Sequence, residues 1–343
     1  MMAKNVALVF GGTSNERLVS VASAQNVVRY FQDPDVYFVG PQGYWFQVTI
    51  DELLGHKNPF VQEFQPKMEP VSKDMDGMVA RLKHKVCFIA LHGTAGEDGT
   101  YQKFFETHQI AYTGSSSESS RTCFDKMKAK SVARANDMTL AAELRVHFGS
   151  ADSVTQLKSF FVDKKKIVLK PNANGSSYGL YIVSSMSELE FAISEIRKAS
   201  DQDYIAEEFI SGREITVGVM ERPNQTLALA PSEVLLEAGA NFDYQGKYLG
   251  RGSKEVTPAD LNPVQKKACQ DLALRAHKIF GCLGYSRTDM ILTNAGPIFI
   301  ETNTLPGMTK ASFYPQQLEA EKISFQEFLD LLLMSGLSRY QKV

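Results

Sequence analysis

Short apolar runs alternate with helix-like periods through the first 114 residues, and this alternation constrains the fold more than any other feature. The runs NVALVF, VYFVG, VCFIALHG and IAYTG each have the length and composition of a buried strand. Gly11-Gly12 ends the first run, and Ser14 or Asn15 is expected to cap a helix that continues through Phe31. Strand, helix and strand in this order predict a parallel sheet covered by helices.

Three features follow predicted strands of this sheet at the same end. They are Gly11-Gly12, His92 and the loop GEDG. Ligands of open α/β sheets bind beyond the carboxyl ends of the strands. We therefore expect the three features to line one rim of the molecule.

The bulk composition excludes several classes of protein. A chain of 343 residues exceeds one ordinary core, so two or three domains are expected. A net charge of −2 with 43% hydrophobic residues gives no indication of a nucleic-acid or membrane partner. No run approaches about 18 apolar residues, and the run from Val6 to Phe10 is too short for a signal peptide. Four scattered cysteines favour free thiols in a reducing cytosol, so a cytoplasmic location is expected.

The rest of the chain predicts a second unit and then longer strands. A boundary is expected near Ser115, followed by one helix over TCFDKMKAKSVARAN. The strands KIVLKP and LYIVSS follow, and Ser187–Glu190 is a predicted capping box for the next helix. Longer strands begin after Gly212, and a polar excursion, AGANFDYQGKYLGRGSKEVTPADL, comes after them. Asn262 and Ser324 are predicted to cap the last two long helices.

Two strand-like runs near the C-terminus, YSRTDMIL and PIFIETN, flank the turn sequence TNAG and predict a hairpin. A turn centred on Ala295 would place Asp289 opposite Glu301 and Arg287 opposite Asn303. Alternation then puts these four polar side chains on one face. The other face would carry an apolar set: Met290, Leu292, Ile298 and Ile300. The clean apolar face argues against an even-length turn.

The polar face of this hairpin favours a hard cation. Two carboxylates directly across a hairpin repel each other unless positive charge lies between them. Asp289, Glu301 and Asn303 offer only oxygen ligands, which Mg²⁺ prefers, and Arg287 can hold a phosphate or an oxyanion. The alternative is a solvated strand face on which Arg287 pairs with the two acids.

Lysines near glycine-rich or polar segments suggest anion binding. Lys170 ends a predicted strand before the loop PNANGSSYG, whose backbone N–H groups can approach a polyphosphate. A flexible connection is the alternative, because the loop matches neither the P-loop nor the dinucleotide fingerprint. Lys126, taken alone, is more typical of a solvated helix residue. Lys247 and Tyr248 lie in the polar excursion, whose length predicts a lid over an anionic ligand.

A set of motifs in a fixed order gives a resemblance that runs nearly from end to end. The motifs are GGTSNERLVS, LHGTAGEDGTYQ, YTGSSSESSRTCFDK, VLKPNANGSSYG, EEFISGREITVGV, FDYQGKY, SRTDMIL and IETNTLPGMTKASFYP. On these motifs the chain resembles the D-alanine–D-alanine ligases, members of the ATP-grasp superfamily. The last motif is highly specific.

The resemblance implies an α/β chain of three domains, with α+β character in the ATP-grasp part. These would be a Rossmann-like domain at 1–114, a central ATP-grasp subdomain at 115–211, and a C-terminal domain at 212–343 with a lid loop at 237–258. ATP would lie between the last two domains, with two Mg²⁺ or Mn²⁺ ions. The implied ATP-binding residues are Lys126, Lys170, Ser177, Glu207, Ile210, Glu214 and Lys247. The implied metal ligands are Asp289, Glu301 and Asn303.

The resemblance also implies substrate and catalytic residues. Arg287 and the backbone of Gly307 match groups that stabilise the tetrahedral intermediate, and Glu16 matches the residue that holds the ammonium group of the first D-alanine. Ser176 and Tyr248 match its partners at the closed lid. The remaining substrate contacts are His92 for the first D-alanine and Ser312 for the second. The implied product is D-alanyl-D-alanine for peptidoglycan, made by a homodimer.

Three features of the sequence differ from the usual pattern of the family and bear on the pocket for the second substrate. They are Leu18, the lid sequence ANFDYQGKY, and Phe313 after Ser312. Tyr248 favours D-alanine as the acceptor, with D-serine and D-lactate as alternatives. An inactive ATP-binding relative is a further alternative, but the retained metal-ligand types argue against it.

Overall fold

The computed structural model describes residues 5–173, 179–198, 203–236 and 253–339. The first sheet has the strand order β3-β2-β1-β4-β5, in which β3 alone runs antiparallel to its neighbour. The predicted parallel sheet is therefore confirmed, and the antiparallel edge strand β3 is an addition to it. Its strands are β1 Val6–Gly11, β2 Asp35–Val39, β3 Trp45–Val48, β4 Val86–Ile89 and β5 Ala111–Tyr112. Its helices are α1 Arg17–Val27, α2 Ile50–Gly55, α3 Val79–Leu82 and α4 Thr100–Thr107.

The start of α1 differs from the prediction. The helix begins at Arg17, and its N-cap residue is Glu16, which makes no side-chain capping bond. Ser14 does not cap the helix: its Oγ accepts from the N–H of Glu16 at 3.1 Å and donates to the carbonyl of His92 at 2.6 Å. The helix ends at Val27, before a single 3₁₀ turn. Through these two hydrogen bonds, Ser14 connects the backbone of Glu16 to that of His92 and so holds Glu16 at the carboxyl end of the sheet.

The predicted helix over residues 122–136 is two helices, because Asp125 interrupts it. Asp125 has an extended backbone, and its side chain accepts from the N–H of Lys128 at 3.1 Å. This cap starts a new helix and places Lys126 in its first turn. The two helices are α5 Ser117–Phe124 and α6 Lys126–Ala135.

The second sheet is antiparallel and has the order β6-β9-β7-β8. The capping box of α8 is formed by Ser185 and Glu188, so the prediction of Ser187 was wrong. Both serines stand three residues before a glutamate, and only the fold selects between them. The elements of this unit are β6 Glu143–His147, α7 Ala151–Lys164, β7 Ile167–Pro171, β8 Tyr181–Val183, α8 Met186–Ile196 and β9 Asp203–Glu208.

The third sheet is antiparallel and has the order β13-β12-β10-β14-β15, with β11 paired to β10. Asn262 and Ser324 cap their helices as predicted. The strands are β10 Arg213–Arg222, β11 Gln225–Ala228, β12 Ser232–Leu236, β13 Ser253–Val256, β14 Tyr285–Thr293 and β15 Gly296–Asn303. The helices are α9 Pro263–Ile279, α10 Phe313–Ala320 and α11 Phe325–Ser338.

The last helix returns to the first sheet. Phe328, Leu329 and Leu332 of α11 belong to the same buried apolar cluster as the strands β1 and β4. A Cβ atom at Gly336 would lie 2.6 Å from the carbonyl oxygen of Tyr112, so the helix backbone packs directly on β5. The boundaries 1–114, 115–211 and 212–343 remain a prediction. In the part of the chain that the structure describes, no helix has the length and apolar composition needed to cross a membrane.

Candidate active site

The hairpin of β14 and β15 presents the predicted polar pairs. Asp289 lies opposite Glu301 and Arg287 opposite Asn303, as expected. The turn, however, is even-length, because Thr293 pairs with Gly296. A register shift next to Asp289 leaves one extra residue in β15 and restores the pairing of the polar residues.

The apolar face of the hairpin was therefore assigned in part wrongly. Met290 pairs with Phe299, and Leu292 pairs with Pro297, so neither Ile298 nor Ile300 is their partner. Met290 and Phe299 are fully buried. The bulge shifts the β15 residues before it by one position, which exchanges the faces that they present.

Asp289 accepts hydrogen bonds from three side chains around it. Arg287 donates to its two carboxylate oxygens through Nε at 2.9 Å and Nη2 at 2.7 Å. Thr216 on β10 donates to Oδ1 at 2.6 Å, and Asn303 donates to Oδ2 at 3.2 Å. Glu301 pairs instead with Lys126, whose Nζ lies 3.4 Å from Oε2. Each carboxylate thus faces its own cationic side chain.

Glu207 of β9 forms ion pairs with two buried lysines. Its Oε2 lies 2.5 Å from Nζ of Lys170 on β7, and its Oε1 pairs with Lys130 on α6. Burial opposes ionisation of Glu207, but the two ammonium groups lower its pKa from 4.5 to about 2. Burial also opposes the charged form of Lys170, yet Glu207 and the two hairpin carboxylates raise its pKa above the ordinary value. Lys170 therefore stays charged beside the hairpin.

Lys130 was missed by the sequence reasoning. Its side chain is fully buried, and burial lowers its pKa despite the attraction of Glu207. Lys130 lies one helical turn after Lys126 on α6, so both lysines project from the same side of that helix. This spacing is the signal that the sequence offered, but i and i+4 lysines are common on solvated helices.

The rim of the first sheet contributes Glu16, His92 and Glu97. His92 is buried, with Nε2 3.0 Å from Oγ of Ser23 and Nδ1 3.5 Å from Oε1 of Glu97. Glu97 belongs to the loop GEDG, which was expected at this rim, although no role was assigned to the residue itself. It lines a small cavity together with Lys126 of α6 and with Glu301 and Asn303 of the hairpin strand β15.

One cavity of about 150 Å³ brings most of the predicted site residues together. Its lining combines residues at the carboxyl-end rim of the first sheet with residues of the strands β10, β12 and β13, the hairpin and the loop that follows it. The predicted residues in this lining are Glu16, His92, Glu214, Arg287, Asp289, Glu301, Asn303, Gly307 and Ser312. Phe60, Glu97 and Phe313 line it as well, and none of the three was predicted as a site residue.

Some predicted residues lie outside this cavity. Lys126 lines the adjoining small cavity, and Lys170 and Glu207 form the buried cluster described above. Ile210 is half-buried, two residues beyond the end of β9. Four predicted residues lie outside the described part of the chain: Ser176, Ser177, Lys247 and Tyr248.

The donor set of the hairpin fits a hard divalent cation. Two carboxylates and one amide supply oxygen ligands on one face of two paired strands. Within the described residues, no group of three or more His, Cys, Asp and Glu side chains is arranged to hold a metal. A cation at this site would therefore depend on the amide oxygen of Asn303, on water and on a ligand, in addition to Asp289 and Glu301.

Solved structures share this fold. The D-alanine–D-alanine ligase from Coxiella burnetii superposes with a TM-score of 0.81 at 24% identity, covering 100% of this chain and 96% of that one. VanG D-Ala:D-Ser ligase from Enterococcus faecalis gives a TM-score of 0.79 at 28% identity, covering 98% and 99%. The fold is that of the ATP-grasp ligases.

Sequence comparison narrows this class to one family. Residues 5–115 match the family model "D-ala D-ala ligase N-terminus", and residues 155–334 match "D-ala D-ala ligase C-terminus". The D-alanine–D-alanine ligase of Leptospira interrogans is 34% identical, covering 98% of this chain and 99% of its own. That of Flavobacterium psychrophilum is 32% identical, covering 98% of each. The chain belongs to the D-alanine–D-alanine ligase family.

Proposed function

We propose that this chain joins two D-alanines to D-alanyl-D-alanine at the expense of ATP, for peptidoglycan precursor synthesis. The observation that carries the proposal is the single cavity shared by Glu16 and His92, the polar hairpin face, and the loop with Gly307 and Ser312. These residues come from distant parts of a chain that matches the ligase family over its length.

The proposed reaction has two steps. A carboxylate oxygen of the first D-alanine attacks the γ-phosphorus of ATP, which gives D-alanyl phosphate and ADP. The free amine of the second D-alanine then attacks the acyl carbon and loses a proton, and the C–O bond to phosphate breaks. Both steps depend on positioning and charge neutralisation rather than on a covalent enzyme intermediate.

Cationic side chains support the phosphoryl transfer in this proposal. Lys126 and Lys170 hold phosphate oxygens, and the resemblance to the family assigns Lys247 to the γ-phosphate. Glu207, Glu214, Ile210 and Ser177 contact the nucleotide. When bound, two Mg²⁺ or Mn²⁺ ions neutralise charge on the phosphates, and Asp289, Glu301 and Asn303 would hold them. The raised pKa of Lys170 keeps its ammonium group charged for this role.

The substrate side is assigned to the other residues of the cavity. Glu16 holds the ammonium group of the first D-alanine, with Ser176 and Tyr248 completing the site when the lid closes. His92 contacts the first substrate, and Ser312 binds the carboxylate of the second. Arg287 and the backbone of Gly307 stabilise the oxyanion of the tetrahedral intermediate. Closure of the lid protects the acyl phosphate from water.

Phosphate release tests the proposal. Purified enzyme with Mg-ATP is assayed with D-alanine, D-serine and D-lactate as acceptors, and the products are identified by mass. We expect D-alanyl-D-alanine to be the main product, because the relatives at 32% and 34% identity are named D-alanine–D-alanine ligases. D-serine is the most important alternative acceptor to test, because the structural neighbour VanG, at 28% identity, is named a D-Ala:D-Ser ligase. Preference for D-lactate at neutral pH would overturn the acceptor assignment, and binding of Mg-ATP without phosphate release would overturn the ligase.

Two further expectations belong to the proposal, a homodimer and a cytoplasmic location. Light scattering on the eluting peak of a gel-filtration column measures the mass in solution against the 38.1 kDa of one chain. Fractionation of cells that produce the tagged protein tests the location. A monomer, or recovery with the membrane fraction, would contradict the respective expectation.

A further inference from the structure

Helix α1 holds Met308, the residue that follows Gly307, by both of its backbone polar groups. The N–H of Met308 donates to Oγ of Ser23 at 3.3 Å, and Nδ2 of Asn26 donates to the carbonyl oxygen of Met308 at 2.8 Å. Ser23 and Asn26 are three residues apart on one side of the helix. Ser23, Asn26 and Met308 are all buried. More than 280 residues of sequence separate the helix from the segment that it fixes.

Ser23 also links this segment to His92. Oγ of Ser23 lies 3.0 Å from Nε2 of His92, and Nδ1 of the same ring lies 3.5 Å from Oε1 of Glu97. The same Oγ of Ser23 accepts from the N–H of Met308. A chain of hydrogen bonds therefore runs from the rim of the first sheet to the peptide bond between Gly307 and Met308.

The other side of this segment is held by Ser312. A Cβ atom on Gly307 would lie 2.9 Å from Oγ of Ser312, so the two residues are closely packed. Oγ of Ser312 accepts from the N–H of Thr309 at 3.2 Å and bonds to the hydroxyl of Thr309 at 2.9 Å. Because the peptide unit is planar, fixing the N–H of Met308 also fixes the carbonyl of Gly307, so that only the φ and ψ rotations of Gly307 separate this fixed unit from the N–H of Gly307 that would donate to the oxyanion.

Asn26 has little value as a purely structural residue. Its amide is buried, and its Oδ1 has no hydrogen-bond donor among the residues that the structure describes. A buried amide that makes part of its hydrogen bonds is costly compared with an apolar side chain. Its bond to Met308 also fixes the orientation of the amide, because only Nδ2 can donate to a carbonyl.

We propose that Ser23 and Asn26 are positioning residues that set the backbone of Gly307 against the substrate carbonyl. The inference rests on the proposed function, in which the backbone of Gly307 stabilises the intermediate. It adds α1 to the machinery: the helix whose N-terminus carries Glu16 for the first substrate also orients the backbone that acts on the second step.

The test compares Asn26→Ala with Gln25→Ala on the same helix. Nε2 of Gln25 donates to the carbonyls of Leu53 at 2.9 Å and His56 at 2.7 Å, so both variants remove amide-to-carbonyl bonds. We expect N26A to lower kcat between about 10- and 100-fold with the KM for ATP within about twofold, because small misplacements cost that much. Q25A should keep kcat within about twofold. Asn26→Leu, which has nearly the shape of asparagine and no hydrogen-bond donor, replaces N26A if that variant does not fold.

A double-mutant cycle with Ser23→Ala completes the test. Because Ser23 and Asn26 bond to the N–H and the carbonyl of the same residue, Met308, the loss of kcat in the double variant should be clearly smaller than the product of the two single losses. Losses with N26A and Q25A should multiply. If the wild type is active, the positioning role would be overturned by a wild-type kcat in N26A. It would also be overturned if Q25A lost as much kcat as N26A. A wild type without ligase activity would refute the proposed function, and this inference would fall with it.

Discussion

The substitution Glu207→Gln removes a carboxylate that contacts two buried ammonium groups. Lys130 is fully buried and Lys170 nearly so, which leaves both with little access to water. The pKa of Glu207 falls from 4.5 to about 2 in the folded chain. At about 1.36 kcal/mol per pH unit, this difference corresponds to roughly 3 kcal/mol of stability at neutral pH. Losing one partner of a buried ion pair typically costs a similar amount, about 3–5 kcal/mol.

The pH dependence of this contribution has a definite sign. The folded chain releases the proton of Glu207 more readily than the unfolded chain, so the stabilisation is complete above a pH of about 4.5. It is lost as the pH falls toward about 2. The difference in unfolding free energy between wild type and E207Q should therefore be constant near neutral pH and should shrink below a pH of about 4.5.

Urea unfolding followed by far-UV circular dichroism measures both quantities. Glu208→Gln is the matched control, because Glu208 is the adjacent residue and pairs with Lys164 only at 3.9 Å on a partly exposed surface. We expect E208Q to cost less than about 1 kcal/mol. If E207Q costs no more than E208Q at neutral pH, or if the difference does not change with pH, the electrostatic reasoning is wrong.

Two further substitutions test the hairpin and the last helix. Glu301→Gln should lower phosphate release at least about 100-fold, because it removes a charged metal ligand, while the unfolding temperature stays near wild type, because the residue lies on a polar face. The exposed Glu319→Gln is its control. Retained turnover in E301Q would remove Glu301 from the site. Gly336→Ala should cost about 1–3 kcal/mol, since its Cβ would meet the Tyr112 carbonyl at 2.6 Å. Thermal unfolding beside the exposed Met334→Ala measures this, and equal stability of the two variants would contradict the packing of α11 on β5.

The hairpin shows how far alternation alone can predict a site. The opposition of Asp289 to Glu301 followed from the sorting of polar and apolar residues, and the structure confirms it. The turn length was wrong, since a two-residue turn and a bulge give the same pairing as the odd-length turn that was assumed. Different combinations of turn and bulge satisfy the same pattern, and packing of Phe299 and Met290 in the core selects one of them.

Local signals predicted the ends of helices where one candidate cap was available. Asn262 and Ser324 were correct because each stands alone before an apolar helical period. Ser185 and Ser187 both precede a glutamate by three residues, and the wrong one was selected. At Asp125 the continuous helical pattern concealed a break, because a capping aspartate inside a periodic segment has no distinct local signature.

Three features follow from the sequence alone: the order of elements, the polar face of the hairpin and the family motifs. Each depends on the periodicity and chemistry of neighbouring residues in the chain. The buried cluster of Lys130, Lys170 and Glu207 is different, since its members come from α6, β7 and β9. The same holds for the hydrogen bonds that Ser23 and Asn26 of α1 make with Met308. Contacts of this kind depend on how sheets and helices pack, and a change of packing would leave every local pattern intact while separating the groups that meet.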